Sequence, residues 1–571
     1  MFGMPDPRQV SMTSNDGNWQ QVIVRDTSEL IKLETWRMSD GSNEEVVIAN
    51  LVKIKDFFIE KMNDFNNNTP QVKMSSFEWK GQEEDKKYWV FGFRAGTGER
   101  KVSLICHLDT VPPGNSGWQP FVPRQETRLY KGVPTPFLIG RGSIDDKGPA
   151  VVAFESFSRA LKKAAADPQV LNKVTLEVLF DTSEETDMST PKYFAANPNK
   201  KPSLGIVFDA FWSVRAEKGI ERPVFTVNAS DVLSPLPDKL TIEKLSTPDG
   251  SVNMIPVTAE ARIKGPDELL DEFYKKINDW YRTCPFDDPD YHPADINVTY
   301  CGSEVVITTK VAGAQHGSAP HQNRSNGANP VVSLTNFLAF LIDRDILANN
   351  HRGEMCRFIR WAFGTRAFGE HHPDLLKRFD TVFGDGNGTT YGLTQLTDNE
   401  SEDISLGIDI RYVIGHHGKG WDGREGQIDG DSLFNSVFDQ LINRYQSETG
   451  GARISFKTES IFGPDIRSIR NADLFKINMA YRSIMGDNCP MQAIGGATDA
   501  HGRLELITAG ALFTDNLGPP VNYHGIDEGA PLTDLENSGK ILLYLLTQEL
   551  GTKEEQESSY SGFHQCHGCC N

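Results

Sequence analysis

The residues in this chain best suited to chemistry are histidines and carboxylates at the ends of apolar runs. Residues 102–106 are mostly apolar and lead directly into His107–Leu108–Asp109, so a buried strand delivers an imidazole and a carboxylate at its carboxyl end, where open α/β sheets place ligands. Side chains two apart on a strand share a face, which lets His107 hold a metal while Asp109 orients its other ring nitrogen. Asp145–Asp146 follows the glycine-rich Gly140–Arg141–Gly142, Glu184–Glu185 comes just after a second apolar run, Asp209 follows Phe208, and His524 lies in a loop before the last helix. Each alone has an ordinary explanation, since an acidic pair caps helix N–H groups and paired glutamates sit in solvated turns. Jointly they are donors of the kind that suit zinc, with one acid to spare. Neighbouring glutamates diverge, so Glu185 can face a metal while Glu184 takes the proton of the attacking water.

These groups need a scaffold that brings strand ends together. Apolar residues recur at helical spacing through 44–65 and 148–163, and apolar runs at 72–79, 88–93, 102–106 and 174–180 read as strands. Strands alternating with helices predict an α/β fold with a mainly parallel sheet. Near Glu217–Lys218–Gly219 the pattern changes. A strand with Asn253, Ile255, Val257 and Arg262 precedes a helix over 267–280, and a strand over 404–411 precedes a helix over 431–445, so an inserted α+β lid domain of two similar units is expected. Helices at 473–485 and 533–550 mark the return to α/β character. The expected organisation is an N-terminal extension over 1–30, a discontinuous catalytic metal-binding domain over 31–217 and 456–551, a lid over 218–455 and a disordered tail over 552–571. Trp118–Gln119–Pro120–Phe121 is expected to shape one wall of the cleft.

A chain of 571 residues is too long for one ordinary core, which fits this division. Its 58 basic and 78 acidic residues give a formal charge of −20 with no basic cluster, so nucleic acid and anionic membranes are poor partners. No stretch approaches a membrane span, the first residues lack a charged-then-apolar leader, and eight cysteines in so long a chain fit a reducing compartment. A cytoplasmic protein is expected. The tail from His564 to Cys570 fits no closed zinc module.

In order, His107-x-Asp109, Gly140-x-Gly142-x-x-Asp145–Asp146–Lys147–Gly148, Thr182-x-Glu184–Glu185, Phe208–Asp209–Ala210 before Glu217–Lys218–Gly219, and Tyr523–His524 resemble the M20 family of metallopeptidases, specifically its PepV-like dipeptidases. The resemblance implies a zinc-peptidase-like catalytic domain with two zinc ions, cobalt or manganese being alternatives. Asp145 would bridge them, His107 and Asp209 completing one and Glu185 and His524 the other, with Asp109 in support and Glu184 as general base. It assigns His316, in Gln315–His316–Gly317–Ser318–Ala319–Pro320, to the substrate carbonyl. Asn253, Gly495, Gly496 and Thr498 fall to the substrate pocket, and Arg411 to a bidentate pair with the substrate's terminal carboxylate. Arg262 has a similar place in the other unit, and His501 has no assigned role. The implied reaction is cleavage of dipeptides or short peptides with a free amino end, by a monomer whose pseudo-dimeric lid stands in for a partner subunit. Two alternatives remain: deacylation of N-acyl amino acids with the same metals and base, and a catalytically inactive binding member of the family, against which stands the presence of every ligand and the base.

Overall fold

The computed structural model describes residues 18–551 apart from 39–40, 115–117, 234, 236–237, 249–251, 312–314, 319, 321–328, 386, 400–401, 489–490 and 515–516. The tail over 552–571 therefore lies outside the described residues. At the centre, every residue of the strand Val174–Asp181 is buried, with Leu176, Val178 and Phe180 in one apolar cluster and Leu179 in another, as a strand covered on both faces requires. It belongs to a six-stranded sheet ordered Ser75–Glu83, Lys86–Ala95, Val174–Asp181, Arg100–His107, Leu204–Val207, Leu506–Thr508. The four strands from Val174–Asp181 onward are parallel. Ser75–Glu83 and Lys86–Ala95 form a hairpin, whose short turn permits only antiparallel pairing, and it joins Val174–Asp181 antiparallel, so the sheet is mixed.

The helices Trp19–Ile31, Glu44–Asn68, Lys147–Ala164, Ala472–Met485 and Leu532–Glu549 contribute to one apolar cluster on this sheet, in which Phe58 stacks on Phe180 with ring centres 4.6 Å apart. Trp19–Ile31 corrects the expectation of an extension through residue 30. Trp19, Ile23, Leu30 and Ile31 are buried, and Trp19 lies under the Arg159 guanidinium at 4.0 Å. Their stripe is diluted by Gln, Arg, Asp and Glu, which hides it in the sequence.

A second layer begins with the strand Gly219–Asn228. It contains two four-stranded antiparallel sheets, one ordered Thr241–Ser246, Thr258–Lys264, Val305–Lys310, Asp295–Tyr300 and the other Thr390–Asp398, Asp403–Tyr412, Gly219–Asn228, Ser455–Phe462. Their edge strands adjoin where Thr247 N–H donates to Leu396 O at 3.1 Å. Helices Asp267–Arg282, Pro330–Asp343, His351–Ala362 and Phe434–Thr449 share one apolar cluster with both sheets. Because Ser455–Phe462 pairs along Gly219–Asn228, the return expected at residue 456 comes only after Phe462. The chain crosses between layers at 217–219 and 462–465, beside a small sheet of Gly426–Gln427, Asp465–Ile466, Val214–Glu217 and Gln492–Ile494. Among the described residues no helix is long and apolar enough to cross a membrane.

Candidate active site

His107 ends the strand Arg100–His107, and its parallel neighbour brings Asp181 level with it, so the turn carrying Glu184 and Glu185 falls beside the imidazole. His107 N–H donates to Asp146 Oδ2 at 3.0 Å, which holds Asp145–Asp146 at the same strand end. Asp145 then stands between two imidazoles: Oδ1 lies 2.9 Å from His107 Nε2 and Oδ2 lies 2.6 Å from His524 Nε2. A different imidazole at each oxygen is the arrangement a bridging carboxylate needs. Glu185 Oε1 is 3.3 Å from His524 Nε2, and Asp209 borders the same cavity while accepting from Tyr523 Oη–H at 2.6 Å. Ala210, Asn522, His524 and Asp527 have φ of 60°, 53°, 59° and 56°, so left-handed backbone strain concentrates beside these groups.

His107 Nδ1 faces the Asp109 backbone O at 3.0 Å, with Asp109 Oδ1 at 3.5 Å. A neutral ring donating there keeps its lone pair on Nε2, the nitrogen that faces Asp145. The Asp109 carboxylate does more than orient the ring. It accepts from the N–H groups of Glu184 and Glu185 at 3.0 and 3.1 Å and pairs with Arg37 at 3.5 Å, so it fixes both glutamates. Glu528, which the sequence reading missed, is buried and moulds the loop that carries Asp145. Its Oε1 accepts from the N–H groups of Gly142, Ile144 and Asp145 at 3.0, 3.1 and 3.3 Å, and Oε2 meets Arg141 at 2.6 Å. Trp118, expected on the cleft wall, lies over the Arg141 guanidinium at 5.4 Å, behind this loop.

The floor is crowded with buried acids. Asp145 Oδ2, Glu185 Oε1 and His524 Nδ1 are buried without a hydrogen bond. Burial, reinforced by Asp145, pushes Glu185 up to about 7 and raises Asp209. Burial alone would lower His524, but Glu185 and Asp145 hold it at about 10. Crowded buried acids sharing two imidazoles suit divalent cations.

The second layer closes over this floor. His316 is on the short strand Gln315–His316, paired with Met254–Ile255, and its ring centre is 4.7 Å from that of His524. Ser318 N–H donates to His316 Nδ1 at 3.1 Å, which leaves the ring proton on Nε2. Burial, then His524 and Arg411, keep this imidazole neutral by lowering its pKa well below the ordinary value. A Cβ at Gly317 would stand 2.6 Å from Asp409 Oδ2, so glycine is needed for the close approach. Asn253, Gly495 and Gly496 border the cavity. Arg411 Nε donates to Asp409 Oδ2 at 2.9 Å and Nη1 donates to Gly495 O at 3.1 Å. With a nitrogen of each two-nitrogen edge engaged, Arg411 does not present the open fork that a bidentate pair requires. Arg262 is elsewhere, paired with Glu260 and Glu304.

Thr498 borders the cavity, but its hydroxyl donates to Glu217 Oε1 at 2.8 Å. His501 acquires a structural role: Nδ1 is 2.8 Å from Glu217 Oε2 and Nε2 is 2.8 Å from Gly463 O. Both partners are acceptors, so the ring is an imidazolium donating from both nitrogens, and Glu217 outweighs the downward pull of burial on its pKa. Glu217, Asp465 and His501 are close enough together to suggest a metal site. The ring has no lone pair to offer, however, and Asp465 is taken by Arg467 at 2.7 Å and by Gly502 N–H at 2.9 Å.

Floor and roof enclose a cavity of about 500 Å3, the size of a small-molecule site. The model of peptidase family M20/M25/M40 matches residues 104–548, a span that contains His107, Asp145, Glu185, Asp209 and His524. The chain belongs to this family. Two curated relatives of this M20 metallopeptidase are provisionally named dipeptidases of Staphylococcus aureus, from strains bovine RF122 / ET3-1 and MRSA252. Each is 28% identical over 428 residues, covering 74% of the M20 chain and 78% of the relative. The crystal structure of human carnosine dipeptidase 1 matches its fold with a TM-score of 0.50 at 11% identity, over 93% of this chain and 96% of that one.

Proposed function

We propose that this M20 peptidase cleaves dipeptides and short peptides with a free amino end, in the cytoplasm, as a monomer whose doubled second layer serves as its own lid partner. The observation that carries the reading is Asp145, one carboxylate with an imidazole at each oxygen and Glu185 alongside, beneath a neutral roof histidine. Asp145 would bridge two zinc ions, or cobalt or manganese, with His107 and Asp209 on one and Glu185 and His524 on the other. When bound, such ions polarise the scissile carbonyl and acidify water. Glu184, positioned through its N–H by Asp109, takes a proton from the attacking water and passes it to the leaving amine. His316 donates from Nε2 to the carbonyl oxygen as it gains charge. Asn253, Gly495 and Gly496 line the substrate's path, Arg411 offers its remaining nitrogen to the terminal carboxylate, and Thr498 acts through Glu217.

The test is metal analysis of the purified protein together with turnover of a dipeptide panel and of N-acetyl amino acids. Bound divalent metal and dipeptide cleavage are expected. Turnover confined to N-acetyl amino acids would assign deacylation instead, and metal-loaded protein inert on both would be a binding member of the family.

A further inference from the structure

Arg222 is absent from every motif in the sequence, yet it borders the cavity together with Arg411 and His316. It lies on Gly219–Asn228, the strand beside Asp403–Tyr412, where the pairs Ile410 with Glu221 and Gly407 with Val224 set it level with Asp409 and on the face that carries Arg411. Arg222 Nε is buried and without a hydrogen bond, Asp409 Oδ1 standing 3.9 Å away. Asp409 is wholly buried, and its Oδ2 already receives Arg411. Glu459, level with Arg222 on the other flanking strand, is exposed. Two guanidiniums thus share one carboxylate, and one positive charge is left over at the roof. Burial and the nearby Arg411 lower the Arg222 pKa, while Asp409 and, more weakly, the exposed Glu459 oppose them.

Resting on the peptidase reading, we propose that Arg222 is a substrate-anchoring residue that joins Arg411 in a two-guanidinium seat for the carboxylate ending a short peptide. Arg411 has Nε and Nη1 engaged and can meet one carboxylate oxygen; Arg222 meets the other. Seated between two guanidiniums at the roof, that carboxylate holds the peptide's carboxyl end away from the metal-binding groups.

The experiment compares alanylalanine with alanylalanine amide, by steady-state turnover and by calorimetric binding to zinc-loaded Glu184→Gln protein, in the Arg222, Arg222→Gln and Arg222→Lys backgrounds. Arg222→Gln should weaken the free acid by about 10- to 100-fold through KM and Kd, leave the amide within about twofold, and so erase the preference for acid over amide. Arg222→Lys, which keeps the charge without the fork, should fall between. Equal losses on acid and amide, or no loss on either, would overturn the proposal. If Arg222→Gln does not fold, Arg222→Lys decides: an unchanged acid-to-amide ratio rejects the seat and a reduced one supports it. Should the wild type cleave no peptide, the peptidase reading falls, and the binding arm still decides whether Arg222 reads a carboxylate.

Discussion

Glu184→Gln removes a proton acceptor and leaves Asp145, Glu185, His107 and His524 in place. Turnover should fall by about 100- to 10,000-fold with metal content unchanged by elemental analysis; loss of metal alongside activity would place Glu184 among the ligands instead. Asp109→Ala acts differently, because two backbone N–H groups lose their acceptor and the His107 ring loses a support. Its expected signature is metal affinity lower by about 10- to 100-fold in a chelator competition. His107, the Glu184–Glu185 pair and Asp209 stood out as candidates because each follows an apolar run, whereas Asp145 follows a glycine-rich turn and His524 lies in a loop. Their supports were not legible. Which backbone N–H groups Asp109 receives depends on how two strands far apart in sequence align, and Glu528 serves a loop nearly four hundred residues upstream. Arg222, flanked by Glu221 and Pro223, reads like any solvated strand residue.

Residues 364–388 read as a long loop, yet Asp287 gathers their start. It accepts from Thr365 N–H at 2.7 Å, from Arg366 Nε at 3.3 Å and from His371 Nε2 at 2.7 Å. That hydrogen bond raises the His371 pKa, while burial of Asp287 is outweighed by His371 and Thr365, which lower its own. A histidine whose folded pKa exceeds its unfolded value of about 6.5 stabilises fully below that value, and the contribution disappears as pH rises through the folded one. With the side chains 26% and 32% exposed, screening limits the effect, and His371→Gln should cost ~1 kcal/mol in urea unfolding at pH 6 and little at pH 9. The same cost at both would mean packing rather than charge. Amphipathic helices such as Glu44–Asn68 and Asp267–Arg282 were readable from their periodicity. Pro330–Asp343 was not, because it is buried almost all round and carries no polar face to set a period.

For the molecule as a whole, a floor of crowded acids makes folding sensitive to cations. Chelation should lower the melting temperature and zinc should restore it, by about 2.7 kcal/mol at a free-ion concentration one hundred times Kd. An unchanged melting curve would mean that these acids hold no ion. The change of pattern near residue 217 falls where the strand Gly219–Asn228 opens the second layer, whereas the edge-to-edge junction of the two sheets was not legible, since it joins residues such as Thr247 and Leu396. The crossings at 217–219 and 462–465 share a feature with mechanical meaning: the His501 ring grips Glu217 on one and Gly463 on the other. A single charged ring fastened to both connecting threads works as a clasp: it fixes the spacing at which the two layers part company, and loosening either thread costs a charge-assisted bond.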